Sequence, residues 1–131
     1  MSRILVTGSR SWSDYDTVCR ALAVAIETVK ERRPQDKRIV IVHGNAKGAD
    51  TMAATFVYQF QDYLKQKGYT IVEEAHPADW KIGKAAGPIR NTKMVELGAD
   101  ICVAFNEGGS GTTNCISQAK KAGIEVLEYK S

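Results

Sequence analysis

Residues 87–115 read GPIRNTKMVELGADICVAFNEGGSGTTNC. The pattern predicts a short helix, a buried strand centred on ICVAF, a glycine-rich loop and the start of another helix. The loop is Glu107-Gly108-Gly109-Ser110-Gly111-Thr112-Thr113. A glycine-rich turn from a buried strand into a helix brings backbone N–H groups to the mouth of a sheet. Those donors, with the positive end of the helix, suit a phosphate or another anion. Arg90 lies one short helix upstream beside Asn91, and its planar fork matches two phosphate oxygens at once. The chemistry indicated is that of a nucleotide-like ligand.

Two further loops carry small and polar residues after an apolar run. The first is Thr7-Gly8-Ser9-Arg10-Ser11-Trp12, and the second is His43-Gly44-Asn45-Ala46-Lys47-Gly48-Ala49-Asp50. Gly8, Ser9, Arg10, Trp12, Gly44, Lys47, Gly48, Ala49 and Asp50 join the ligand-binding candidates. Neither loop is a GxGxxG, which removes the dinucleotide fingerprint, and no GxxxxGK[ST] supports P-loop phosphoryl transfer. Asp50 either caps the helix that follows or binds a ribose hydroxyl. Trp12 and Trp80 lie in polar loops, where an indole either stacks on a base or packs at the sheet edge. His43 ends a buried strand and reads as structural; His76 is ambiguous. Asp79 is the best-placed unassigned carboxylate, and with Glu107 it is a candidate catalytic group.

The elements that must position these residues alternate regularly. Strands are expected over residues 3–7, 38–43, 70–75, 100–105 and 124–129. Helices are expected over about 14–32, 48–67, 88–97 and 112–122. Ser13 and Asp16 form a capping-box signature for the first helix. Pro88 suits a first helical turn, and Gly68 and Gly123 suit helix ends. The result is an α/β fold, with a parallel sheet of about five strands and helices on both faces. With the order 3-2-1-4-5, strands one and four meet at the switch point and their loops face one crevice.

The 131 residues fit one domain, and 44% hydrophobic with 25% charged residues is ordinary for a soluble globular chain. A net charge of +3 favours anionic ligands slightly and is too small to argue for nucleic acid. The run KERRPQDKR reads as a solvated helix end and loop. Three cysteines cannot all pair, and none has metal-ligand spacing. Reduced thiols and a cytoplasmic location are the expectation. The chain enters RILVTG without a signal peptide, and no stretch approaches the ~20 apolar residues of a membrane span.

The run from VTGSRSW through VHGNAKGAD and PADW to GKAAGPIRN and GGSGTT resembles the YspA-type, YpsA-related branch of the SLOG superfamily. The resemblance covers nearly the whole chain. It implies a single Rossmann-like domain, in bacteria or their phages, that binds nucleotides or nucleotide-derived molecules. Relatives in the superfamily include the LOG phosphoribohydrolases, the DNA-processing protein DprA and sensor domains of antiphage systems. LOG enzymes cleave the N-glycosidic bond of nucleoside monophosphates with an arginine and the glutamate of PGGxGTxxE. Arg90 matches that arginine and Gly108–Thr112 resemble the loop, but Glu107 replaces the proline and Cys115 stands at the glutamate position. A neutral thiol cannot stabilise the oxocarbenium-like state of glycosidic cleavage as a carboxylate can.

The resemblance therefore implies a sensor or sequestering protein that keeps the phosphate cradle. The alternative is a nucleotide N-glycosidase whose carboxylate comes from Asp79 or Glu107. Single-stranded DNA binding as in DprA is less expected, since basic and aromatic residues are not interleaved. Dimeric LOG enzymes imply a homodimer. No cofactor or metal site is readable, and Mg²⁺ would enter through a ligand phosphate.

Overall fold

Alternation along the first strand shows how one segment serves two cores. Ile4 and Val6 point into a cluster with Val18, Leu22 and Ala53, while Leu5 points to the other side with Met94, Cys115 and Ala119. This is the period-two geometry of a strand covered on both faces. In the computed structural model, which describes residues 1–131, five such strands form one parallel sheet. They are β1 (Ser2–Gly8), β2 (Arg38–His43), β3 (Thr70–Ala75), β4 (Ile101–Asn106) and β5 (Glu125–Lys130). Their order is β3-β2-β1-β4-β5, the order under which the first and fourth strands meet at the switch point.

Helices α1 (Tyr15–Arg32) and α2 (Ala49–Gln66) cover one face, where the larger cluster lies. Helices α3 (Ala86–Glu96) and α4 (Ser110–Lys121) pack together over the other. The edge strands β3 and β5 carry Glu73, Glu74, Glu125, Glu128 and Lys130, charges that oppose pairing with a further strand. No helix is long and apolar enough to cross a membrane.

Several boundaries differ from the sequence reading for local reasons. The α1 cap is Asp14, not Ser13 with Asp16. Its carboxylate accepts from Thr17 N at 3.0 Å and from the Thr17 hydroxyl at 2.6 Å. Helix α3 begins two residues earlier than expected, which puts Pro88 in a first turn that needs no N–H from it. A single 3₁₀ turn, Trp80–Ile82, interrupts the segment expected to be irregular. Helix α4 also begins two residues early, after Gly109 at φ 103°. Ser110 and Gly111 are thus its first turn, and the glycine loop opens directly into the helix.

The switch point lies between β1 and β4. Their register runs from Ile4 opposite Ile101 to Gly8 opposite Phe105. One more ladder bond, Ser9 N to Phe105 O at 2.9 Å, carries the pairing past the strand ends.

Candidate functional site

Ser9 joins two of the three loops. Its hydroxyl donates to Gly108 O at 2.7 Å and accepts from Glu107 N at 2.8 Å. The β1–α1 and β4–α4 loops are therefore held as one wall, with Ser9 itself buried. Gly108 N donates to Asn106 Oδ1 at 2.8 Å, which shapes the turn. No side chain caps α4, so its first-turn N–H groups remain available at the positive end of the helix dipole.

Arg90 reaches the same place from α3. Its Nη1 donates to Gly44 O at 2.5 Å and to His76 O at 3.4 Å, and its Nε donates to Asn91 Oδ1 at 2.9 Å. Asn91 is buried, and its Nδ2 donates to Gly111 O at 3.2 Å and Asn114 Oδ1 at 3.1 Å. A chain of hydrogen bonds thus runs from the β2–α2 loop through Arg90 and Asn91 to the first turn of α4. Two of the three guanidinium nitrogens are committed to the protein. Arg90 offers a ligand chiefly Nη2, not the whole fork that the sequence reading expected.

The second loop is braced from behind. His43 Nδ1 accepts from Asn45 N at 3.0 Å, and Nε2 pairs with Glu73 Oε2 at 2.8 Å. An Nδ1 that accepts from an amide leaves the proton on Nε2, which donates to the carboxylate. Asn45 adopts φ 55° in this turn. Asp50 Oδ2 accepts from Gly44 N at 3.0 Å and from Ala46 N at 3.2 Å. The carboxylate is pushed above its usual range by burial, opposed by the Ala46 N–H, His43, Arg90 and the Gly44 N–H.

These parts enclose a cleft of about 700 Å³ beyond the carboxyl ends of β1 and β4. Arg10, Lys84 and Arg90 bring positive charge to it, and Asp50 and Glu107 bring carboxylates. Glu107 accepts from the Ser11 hydroxyl at 2.9 Å. A smaller cavity of about 400 Å³ adjoins it and is lined by Gly44 and Lys47. Arg10, Trp80 and Arg90 border both. The Arg10 guanidinium lies 5.4 Å from the centre of the Trp80 ring, a cation–π distance.

Of the residues singled out from sequence, Gly8, Ser9, Arg10, Asp50, Trp80, Arg90, Asn91 and Glu107 through Thr112 line the main cleft. Four do not line either cavity. Trp12 is 3% exposed, packs on Phe105 at 5.3 Å and donates from Nε1 to Asp14 O at 3.0 Å, so it belongs to the core. Ala49 is fully buried against Gly8. Gly48, at φ 91°, lets the start of α2 pass under the backbone of Ser9 and Arg10, where a Cβ would come within 2.5 Å of the Ser9 carbonyl oxygen. Asp79 is exposed and caps the 3₁₀ turn by accepting from Lys81 N at 3.2 Å. Sequence reasoning did not single out Lys84, although GKAAG beside the arginine was visible.

Cys115, at the position of the LOG glutamate, is fully buried. Burial and the nearby Asp50 push its thiol up to about 11, against the pull of a Thr7 hydrogen bond and Arg90.

The sequence model described as "YspA, cpYpsA-related SLOG family" matches residues 2–83 of the chain. The Gene 61 protein of Mycobacterium phage D29 is 44% identical over 131 residues, spanning 98% of this chain and 97% of that protein. No solved structure matches.

Proposed function

Since the chain belongs to the YspA, cpYpsA-related SLOG family, we propose that it binds a nucleotide or nucleotide-derived small molecule in the main cleft, as a sensor or sequestering protein. The observation that carries this reading is that Arg90, Arg10 and Lys84 line the same cleft as the uncapped first turn of α4. The open N–H groups and the guanidinium suit a phosphate, and the exposed Trp80 offers an aromatic face beside it. The cleft volume lies within the range of small-molecule sites. Any Mg²⁺ would arrive on the ligand phosphate.

A thermal-shift screen against nucleoside monophosphates, NAD, ADP-ribose and cyclic nucleotides tests the reading. A ligand at a hundredfold its Kd stabilises by about 2.7 kcal/mol. Stabilisation by a ligand recovered intact, and lost in Arg90→Ala, is expected. No stabilisation by any member of the panel overturns the proposal.

Two carboxylates in the cleft, Asp50 and Glu107, favour one alternative, hydrolysis of a nucleotide N-glycosidic bond. Recovery of free base and sugar phosphate from the stabilised mixture would establish it. The resemblance to dimeric LOG enzymes also leads us to propose a homodimer, which sedimentation equilibrium checks.

A further inference from the structure

Asp50 carries the one buried side-chain polar atom in the chain without a hydrogen-bond partner, Oδ1. The residue is 5% exposed and lines the main cleft. An unmet buried acceptor is costly, and folded proteins leave few of them.

The loop does not account for this second oxygen. Gly44 N and Ala46 N both donate to Oδ2. An asparagine, with one amide oxygen, would hold the loop as well. What a carboxylate adds is a second acceptor, Oδ1, buried and unpartnered on a residue that lines the cleft.

The charges around Asp50 narrow what that acceptor can meet. His43 from β2 and Arg90 from α3 lie close enough to act on Asp50, which with Arg90 acts on the Cys115 thiol of α4. Arg90 disfavours a cationic ligand group at this point, and a phosphate oxygen would be repelled by the carboxylate. A neutral O–H donor suits both neighbours. In a molecule held by its phosphate beside Arg90, sugar hydroxyls are the donors of that kind.

Building on the proposed nucleotide site, we propose that Asp50 Oδ1 accepts a hydrogen bond from a ribose hydroxyl, so that the site selects ribonucleotides over their deoxy counterparts. Burial holds the carboxyl above its usual range, and a bound hydroxyl offsets part of that penalty by solvating the charged form. With the 2′-hydroxyl as donor, the same contact discriminates against DNA, whose sugars lack it.

The test is titration calorimetry of the full chain with 5′-AMP, ADP-ribose, the 2′-deoxy and 3′-deoxy forms of each, and inorganic phosphate. The expected result is at least tenfold weaker binding of one deoxy series. Asp50→Asn, which keeps an acceptor for Gly44 and Ala46, should bring the ribose form down to the deoxy level without weakening phosphate binding. Arg90→Ala should weaken all nucleotides alike. Nucleotide binding that depends on Arg90 but ignores both sugar hydroxyls overturns this inference and leaves the proposed function standing. Absence of binding by every nucleotide overturns both. Should Asp50→Asn fail to fold, the ribose-to-deoxy comparison on the unmodified protein decides the matter alone.

Discussion

The guanidinium of Arg90 fills the space that a Cβ at Gly44 would need. Gly44 lies at the end of β2 and Arg90 in α3, 46 residues apart, so this glycine serves close approach and not a turn. Gly44→Ala should push Arg90 off the Gly44 carbonyl without unfolding the chain, because the obstructing group is the end of a flexible side chain. Nucleotide affinity should fall at least tenfold in the titration above, as in Arg90→Ala. The double variant should be little worse than either single one, which a double-mutant cycle checks.

The two tryptophans should separate cleanly. Trp12→Ala removes a buried indole packed on Phe105 and should cost about 3–5 kcal/mol in urea unfolding. Trp80 is 54% exposed, so Trp80→Phe should leave stability within about 0.5 kcal/mol. Ligand-induced quenching of tryptophan fluorescence should disappear in Trp80→Phe. If the quench survives there, the ligand does not sit against Trp80.

Acid sensitivity should trace to Glu74. Its carboxylate takes two hydrogen bonds from Arg3, at 3.2 and 2.6 Å, and pairs with His76 at 2.7 Å. The bonds from Arg3, then His76, hold its pKa at about 2. A folded-state pKa below the unfolded one means the contribution is complete above pH ~4.5 and is lost as pH falls toward 2. The shift corresponds to about 3 kcal/mol at most, reduced to about 1–2 kcal/mol because a third of the side chain meets solvent. Glu74→Gln should be less stable at pH 7 and should flatten the urea midpoint across that window.

Thiol chemistry should distinguish one cysteine from the other two. Cys102 and Cys115 are fully buried, and burial raises both thiols. Cys19 is half-buried. A disulfide reagent at pH 8 should titrate one thiol in the native protein and three after denaturation. Cys115→Glu should not create a LOG-like enzyme. It would enclose a second carboxylate near Asp50 and cost about 3 kcal/mol or more, with no release of base.

Much of the architecture was legible in the chain because it rests on local patterns. Apolar runs of strand length, helical stripes and glycine or proline stops determined five strands and four helices in alternation. The GGSGTT loop and Arg90 were legible too, since glycine-rich turns and arginines announce their chemistry by residue type. Residue type alone did not separate Trp12 from Trp80, for both sit in polar loops. Packing on Phe105 decided it.

The rest depended on contacts between residues far apart in the chain. Ser9 stitches two loops separated by about a hundred residues. Gly44 yields its side-chain space to Arg90, and that contact spends part of the guanidinium fork on the protein itself. Asp50 satisfies one oxygen on the loop and leaves the other buried without a partner. Periodicity and propensity act over a few residues, so they determine which elements form. Which polar atoms are satisfied, and which remain open to a ligand, is decided only when those elements close against one another and exclude water.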